Sequence, residues 1–514
     1  MWARAGVLIL AGTVLVVAIT RSGDDGPQDV GPTDSGSTTA PAPTPSSTGA
    51  TDDTTTTSQP FVARTDVLVD PASFAHPWGS SVQGVLTFRG NPTRSYHGSG
   101  PIPVNPKVLW QYPAAGTPMC GESTEYGVKR VWCGTGWTGQ PAVFERDGRT
   151  WVVFGAYDHR VHFVDGSTGL DIIEPFETGD LAKGNVTIDP DGYPLVYVGS
   201  RDNKFRVLSF DGTQAKELWS IEGHTADRMH NDDWDAAALV INDYLLEGGE
   251  NSWFHIAKLN RGYAADGSVT VAPSMVARVQ GWDDQLISDL GGKDPKRMSL
   301  ESSVVMSGDV AYLNSSGGLV QGWDLSSLRT GVGEVKRVFR FWTGDDSDST
   351  IVTDEDGFLY VGAEVDRDTA RGRKVGQMMK LDPAKPDDPV VWSLDVNKGI
   401  DSGTWSTPAV YKDIVIWPTK PGRIYALDRT TGETRWTLDT AYGDLSSPSV
   451  VDNTLIQADA EGVIRAWDVS NTEVTPPLKW QIDVGGNIES SMAIWKGRIY
   501  VGTRDGYEFC IGES

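Results

Sequence analysis

Residues 405 to 440 read WSTPAVYKDIVIWPTKPGRIYALDRTTGETRWTLDT and contain one complete structural repeat. Short runs of β-branched and aromatic residues alternate with turn residues. This pattern predicts four strands, at Pro408 to Tyr411, Ile414 to Pro418, Arg423 to Leu427 and Thr434 to Leu438. Four antiparallel strands in about 35 residues match one blade of a β-propeller. The stretch therefore predicts an all-β fold built from repeated blades.

The same order of strands and turns recurs along the chain, so the number of blades can be counted from the sequence. Eight third-strand sequences occur: RVHFVD, KFRVLSF, FHIAKL, LVQGWDL, GQMMKLD, RIYALD, VIRAWD and YEFCIG. The last repeat ends after its third strand, whereas VLWQYP at 108 to 113 is a fourth-strand sequence without its own blade. The sequence therefore predicts an eight-bladed propeller closed by an N-terminal strand that completes the last blade, which removes an exposed sheet edge.

One turn in the repeat resembles a known family. Ala426, Asp428, Thr431, Gly432 and Trp436 match the pattern Ala-x-Asp-x-x-Thr-Gly-x-x-x-Trp of quinoprotein-like propellers, a group that includes pyrroloquinoline-quinone (PQQ) dehydrogenases and the lipoprotein of the outer-membrane assembly machinery. Weaker copies of the pattern lie at Asp165, Thr168 and Gly169, at Asp211 and Trp219, and at Asp382 and Trp392. LTFRGNPTRSYHG at 86 to 98 is similar to a segment of uncharacterised bacterial members. The resemblance implies a propeller in which each Trp docks between neighbouring blades.

The N-terminal region predicts export and tethering. Residues 1 to 21 form an apolar run with basic flanks, typical of a signal anchor or a signal peptide, and residues 22 to 60 are a Ser/Thr/Pro-rich linker without core-forming residues. Residues 61 to 106 are expected to form an extension that packs on the propeller, which spans 107 to 514. Export to an oxidising compartment makes a disulfide between Cys120 and Cys133 plausible, whereas Cys510 lies in a strand pattern typical of a buried core residue.

The net charge of −25 excludes a nucleic-acid-binding surface, because phosphate backbones are bound by clustered Lys and Arg. Membrane contact is expected through the N-terminal segment only. The excess of acidic over basic residues favours cationic partners.

The first strand of each propeller blade lines the central channel, so the residue before the small pair that starts it is expected at the channel mouth. At this position the eight repeats carry Thr138, Lys183, Asp235, Glu301, Asp348, Trp405, Leu445 and Glu489. Four of these residues are acids, and converging carboxylates favour a cationic ligand or Ca²⁺, with Asp235 and Glu301 as candidate metal ligands. The alternative interpretation is that these acids cap turns or face solvent.

The loop of residues 224 to 235 in the third repeat is the densest polar segment of the chain. His224, His230, Asp232, Asp233 and Asp235 could bind a transition metal or Ca²⁺. Trp234 could instead stack on a ligand such as a sugar while its neighbours form hydrogen bonds. The structural alternative is that Trp234 packs between blades and the acids bond the loop backbone.

Three functions remain open from the sequence. The first is an extracytoplasmic binding or assembly scaffold for other cell-envelope proteins, acting through its loop faces and acidic channel mouth. The second is a PQQ- and calcium-dependent dehydrogenase, and the third is a glycan- or peptide-binding module that uses Trp137, Trp234 and Trp405. The chain lacks adjacent cysteines and a Cys-x-x-Cys-His motif, so no catalytic residue is assigned and PQQ is not expected, whereas Ca²⁺ stays open.

Overall fold

The fold is known from a computed structural model that describes residues 63–513, except 80, 126, 137, 138, 293–295, 332, 442 and 444. The predicted anchor at 1 to 21, the linker at 22 to 60, Trp137 and Thr138 therefore lie outside the described residues. Within the described part of the chain, no helix is both long enough and apolar enough to cross a membrane.

Sheets of four or five strands form the eight blades of a propeller, and their strands are antiparallel except for Gly98–Ser99, which is parallel to Ala493–Trp495. Blade 1 contains Ala142–Arg146, Arg149–Ala156, Arg160–Asp165 and Phe176–Glu177. Blade 2 contains Thr187–Ile188, Leu195–Gly199, Lys204–Ser209 and Lys216–Glu222. Blade 3 contains Leu239–Ile241, Tyr244–Gly248, Trp253–Lys258 and Ser274–Gln280. Blade 4 contains Val305–Ser307, Val310–Leu313, Leu319–Asp324 and Lys336–Trp342.

The second half of the ring repeats this arrangement. Blade 5 contains Val352–Thr353, Leu359–Gly362, Met378–Leu381 and Val390–Leu394. Blade 6 contains Ala409–Tyr411, Ile414–Thr419, Arg423–Asp428 and Thr434–Asp439. Blade 7 contains Ser449–Val451, Thr454–Ala458, Val463–Asp468 and Leu478–Asp483. Blade 8 contains Ala493–Trp495, Arg498–Gly502, Glu508–Gly512 and, as its fourth strand, Lys107–Tyr112.

The ring also contains smaller elements of secondary structure. Three two-stranded ribbons pair Cys120–Glu125 with Val128–Cys133, Gly262–Tyr263 with Val269–Thr270, and Glu364–Val365 with Ser402–Gly403. Among the described residues, the helices are α1 (Asp284–Leu290) and α2 (Ala370–Val375), and short 3-10 turns occupy Pro71–Ser73 and Ser326–Arg329.

The predicted fold class is confirmed, including the closure of blade 8 by an N-terminal strand. The burial of the strands explains why the repeat can be recognised in the sequence. Ile414–Thr419 is buried on both faces, whereas Thr434–Asp439 at the outer edge buries only Trp436. Inner strands therefore appear as continuous apolar runs and outer strands as alternating ones.

The Trp-to-Gly contact between blades is the packing that the repeat motif predicts. The ring of Trp392 in blade 5 lies against Gly432 of blade 6, where a Cβ atom would come within 2.7 Å of the indole. Trp110 in blade 8 lies against Gly169 of blade 1 in the same way. Gly432 also has a φ of +75°, so its turn needs glycine for both its backbone and its packing.

The segment from 84 to 99, called the plug segment below, occupies the centre of the ring. Gly84–Val85 pairs with the first strand of blade 1, and Gly98–Ser99 pairs with the first strand of blade 8. Between them, the buried Arg94 donates to the carbonyls of Ala237 and Val304 next to the first strands of blades 3 and 4. Arg89 likewise donates to the carbonyls of Pro408 and Pro448, at blades 6 and 7.

Main-chain bonds join the plug segment to the remaining blades. The amides of Ile188, Met306 and Thr353 donate to plug carbonyls at 2.7, 2.9 and 3.2 Å. A segment that contacts the first strand of every blade must lie on the ring axis, so it fills the channel at that level.

Candidate functional site: an acidic cup at the channel mouth

A chain of hydrogen bonds fixes the start of neighbouring first strands. The amide of Ala237 donates to the Ser303 hydroxyl at 2.9 Å, and the amide of Ser303 donates to the Thr350 hydroxyl at 3.0 Å. The same bond continues through Thr407, Ser447 and Ser491. The pairs of small residues that were used to align the repeats therefore occupy equivalent positions in blades 3 to 8. The residues that precede them must converge.

These preceding residues line one cavity of about 410 Å³ at the channel mouth, which we call the acidic cup. Its lining includes Lys183, Asp235, Glu301, Asp348, Trp405, Leu445 and Glu489, whereas Thr138 lies outside the described residues. The described lining residues contain nine acids, Glu125, Asp235, Glu250, Glu301, Asp346, Asp348, Glu364, Asp366 and Glu489, against Lys183, Arg201, Arg297 and Arg504. The converging acids thus give the cup an excess of negative charge.

The plug segment forms the floor of the cup. The buried ring of Phe88 lines a small space of about 10 Å³ together with Glu301, Trp405 and Leu445. A ligand therefore reaches these side chains from the open side of the mouth, not through the ring.

One wall of the cup is an ion-pair network. Lys183 Nζ lies 3.0 Å from Asp235, 3.2 Å from Glu250 and 3.4 Å from Asp233, and Arg201 lies 3.0 Å from Asp233. Burial alone would lower the pKa of Lys183, but the three carboxylates outweigh it and raise this pKa well above its usual value. Burial also raises the pKa of Asp235, to about 6. This wall is largely neutralised by its own cations.

A second part of the lining contains carboxyl groups that accept hydrogen bonds from serine hydroxyls. The Ser299 hydroxyl donates to Glu301 at 2.5 Å, and the Ser316 hydroxyl donates to Asp348 at 2.9 Å. Burial, together with the charge of Asp348, raises the pKa of Glu301 well above its usual value. Burial also raises the pKa of Asp346, to about 7, against the opposing effect of Arg367. This part of the lining therefore contains carboxyl groups that hold their protons to a higher pH than usual.

A disulfide-linked hairpin stands at the rim. Cys120 and Cys133 are bonded at the ends of the ribbon that carries Glu125 and Trp132 into the cup lining. Arg504 lies over the Trp132 ring, 5.4 Å from its centroid, and pairs with Glu489 at 2.9 Å. Cys510, the third cysteine, is buried in blade 8.

The polar side chains of the loop at 224 to 235 in blade 3 do not lie together in one metal site. His230 lines the cup, and Asp233 is buried in the Lys183 network. His224 pairs with Asp232 at 2.5 Å, where the His224 side chain is 57% exposed. The loop therefore supplies the cup with single side chains.

The predicted ligand-stacking role of Trp234 is wrong. Its side chain is fully buried, with Nε1 donating to the carbonyl of Asn203 at 3.1 Å. The ring packs between Phe205 of blade 2 and His255 of blade 3, with centroid distances of 5.6 and 5.2 Å. No face of the indole is open to a ligand, so Trp234 is an inter-blade packing residue.

Two groups of three potential metal ligands occur among the described residues. One is His230, Glu250 and Glu301, and the other is Asp346, Asp348 and Glu364, each with donor atoms within 4.8 Å of one another. Glu301 belongs to the first group. Asp235, its proposed companion, belongs to neither and is instead paired with Lys183.

Five acids of the cup are not among the site residues predicted from the sequence: Glu125, Glu250, Asp346, Glu364 and Asp366. Glu250 and Glu364 follow second strands, and Asp346 lies two residues before the aligned position, so an alignment of first strands alone cannot find them. The acidic run GDDSD at 344 to 348 is the one local signal that would have pointed to Asp346.

The raised pKa values predict that the protein loses stability as pH rises. Because the folded state of Asp235 or Glu301 holds its proton to a higher pH than the unfolded chain, the free energy of unfolding should fall as the pH rises from about 4 through about 6. The lowered pKa values of His97, His230 and His255 act in the opposite direction, so the test needs a matched variant. In urea denaturation with chelator, Glu301→Gln should show a weaker fall than the native chain. An equal slope in both proteins would contradict the assignment.

Comparison with known proteins agrees with this architecture. A family model described as outer membrane protein assembly factor BamB matches residues 376–507. Quinohemoprotein alcohol dehydrogenase from Comamonas testosteroni superposes with a TM-score of 0.54 and 13% identity, over 85% of this chain and 82% of that chain. BamB from Moraxella catarrhalis gives a TM-score of 0.40 and 13% identity, over 80% of this chain and all of that chain. A search of curated proteins finds no match.

The fold and the repeat define the class of protein, an eight-bladed β-propeller closed by an N-terminal strand. More narrowly, residues 376–507 resemble the PQQ-repeat propeller family that is described by outer membrane protein assembly factor BamB. At 13% identity, the dehydrogenase shares the fold alone.

Proposed function

We propose that this protein is an extracytoplasmic binding scaffold whose acidic cup receives a cationic group from another cell-envelope protein. The observation that carries the proposal is the excess of carboxylates in a cup with a closed floor. A recessed site lined by one sign of charge concentrates ligands of the opposite sign. The match to the BamB family model and the Cys120–Cys133 disulfide support an envelope location.

A lysine or arginine side chain is the group that the cup suits best. Glu301 and Asp348 are half-buried, so their carboxylates are reachable from the mouth while partly shielded from water. An ion pair in such a position is screened less by salt than one on an open surface. The cup therefore favours a protruding basic segment over a diffuse basic patch.

The alternative of a PQQ-dependent dehydrogenase is less well supported, because the cup residues do not fit that cofactor. PQQ carries three carboxylate groups, which the acids of the cup would repel. The Trp405 ring, which could stack on a planar quinone, has Lys420 Nζ 4.2 Å from its centroid. The glycan-binding alternative is weakened by the same contact and by the burial of Trp234.

The test is the affinity of the full chain for a labelled lysine-rich peptide, measured by fluorescence anisotropy. The double variant Glu301→Gln, Asp366→Asn removes two carboxyl groups from the cup and should weaken binding about tenfold, or about 1.4 kcal/mol. The matched control Asp439→Asn, Asp483→Asn removes two exposed charges from the fourth strands of blades 6 and 7. It should change the affinity less than about twofold.

A glutamate-rich peptide of equal length should not bind, and added salt should weaken the lysine-rich peptide. Equal losses in the cup variant and in the control would contradict the proposal. Failure of the lysine-rich peptide to bind the native chain would also contradict it.

A further inference from the structure

A second cavity, of about 850 Å³, adjoins the acidic cup. Its described lining belongs to two loops, residues 226 to 231 before the first strand of blade 3 and residues 296 to 297 before the first strand of blade 4. His230, Asn231 and Arg297 line both this cavity and the cup. The two cavities are therefore contiguous, so a ligand that enters the cup can extend into the second cavity.

The second cavity carries the opposite charge from the cup. Its described lining contains three cations and no acid, in a chain whose net charge is −25, and we call it the basic pocket. The cations are Arg228, whose side chain is 31% exposed, Arg297, whose side chain is 43% exposed, and the exposed Lys296. Asp366 lies 3.3 Å from Arg297, whereas Asp232 lies 3.8 Å from Arg228. All three cations are therefore reachable by an anionic group of a ligand.

The two loops of the basic pocket are held against each other and against the cup. Burial lowers the pKa of His230, and a hydrogen bond to the Lys296 backbone partly opposes this effect. Met229 packs against an apolar cluster formed mainly by α1 and blade 4. On the side of the cup, Asn231 donates to the Glu250 carboxylate at 3.1 Å. The positions of the cations relative to the acids are therefore set before a ligand binds, which lowers the cost of binding.

We propose that the basic pocket binds a carboxylate of the same ligand whose basic side chain enters the acidic cup. The inference rests on the proposed function and narrows it, because it names the ligand as a peptide segment that carries a basic residue and a carboxylate close together. A second basic residue of the ligand at this place would be repelled by Arg228, Lys296 and Arg297. The pattern of charges in the ligand, and not its net charge alone, therefore decides whether it binds.

The test compares labelled peptides of equal length that each contain a single lysine. Binding to the full chain is measured by fluorescence anisotropy. The peptide with glutamates beside the lysine should bind about tenfold more tightly than the peptide with glutamines there. A second pair of peptides has the lysine at the C terminus, as the free acid or as the amide. A preference in the first pair identifies an acidic side chain as the source of the carboxylate, and a preference in the second pair identifies the peptide terminus.

The variant Arg228→Gln, Lys296→Gln removes two cations from the basic pocket and should reduce this preference to less than about twofold. The matched control Arg149→Gln, Lys385→Gln also removes one arginine and one lysine, with side chains 51% and 72% exposed, from outside both cavities. It should retain the tenfold preference. Because the preference is a ratio of two affinities of one protein, a folding defect that weakens both peptides equally cannot imitate the expected loss.

Two results would overturn the inference. One is equal affinity of the native chain, within about twofold, for both members of each peptide pair. The other is a preference that the pocket variant retains in full. If the lysine-rich peptide still binds in either case, the proposed function stands and only the basic pocket is wrong. Failure of the lysine-rich peptide as well would overturn the proposed function together with this inference.

Discussion

Arg94→Ala should lower the free energy of unfolding by about 4 kcal/mol or more. The guanidinium is fully buried in the plug segment and donates to the carbonyls of Phe88, Ala237 and Val304 and to the Thr87 hydroxyl. Burial lowers the pKa of Arg94 to about 9, so the group stays charged at neutral pH. Alanine would leave a cavity on the ring axis and several buried carbonyls without donors.

Urea denaturation of the purified chain measures this loss. Arg149→Ala is the matched control, because the Arg149 side chain is 51% exposed and lies 3.9 Å from Asp165. It should change the free energy of unfolding by less than about 0.5 kcal/mol. Similar losses in both variants would show that the plug segment does not hold the blades together.

Lys183→Met is expected to cost about 3–5 kcal/mol at pH 8, because it leaves buried carboxylates without their cation. Asp233 and Asp235 are 2% and 1% exposed, and Glu250 is 3% exposed. Burial raises the pKa of Asp235 to about 6, so lowering the pH protonates this carboxyl and removes part of the repulsion. The cost should therefore be smaller at about pH 5 than at pH 8.

The control for this prediction is Lys385→Met. The Lys385 side chain is 72% exposed and pairs with Asp382 at 2.8 Å, so its loss should leave the free energy of unfolding almost unchanged at either pH. A cost for Lys183→Met that does not change with pH would mean that packing, not charge, sets the role of this lysine.

The propeller could be predicted because the strands of each blade follow one another closely in the sequence. The four strands around Gly432 are read from turn residues and apolar runs within one stretch, and the structure reproduces them within about one residue. The aligned acids were also predictable, because Asp235 and Glu301 precede pairs of small residues that are equivalent in blades 3 to 8.

The remaining features depend on packing between distant segments. Trp234 looks like a ligand-stacking residue among acids, but blades 2 and 3 close over it. Arg94 lies in a polar segment before the first blade, and no local pattern shows that it fills the channel. Asp346 and Glu364 meet only because a loop and a strand end are bonded together, a contact that periodicity does not encode.

The most direct test of the binding role is a crystal structure of the full chain with the lysine-rich peptide bound. We expect a lysine side chain inside the cup, above Phe88 and within hydrogen-bonding distance of Glu301 or Asp348. A peptide that pairs along an outer blade edge, with its lysines outside the cup, would contradict the claim that the channel mouth is the binding site.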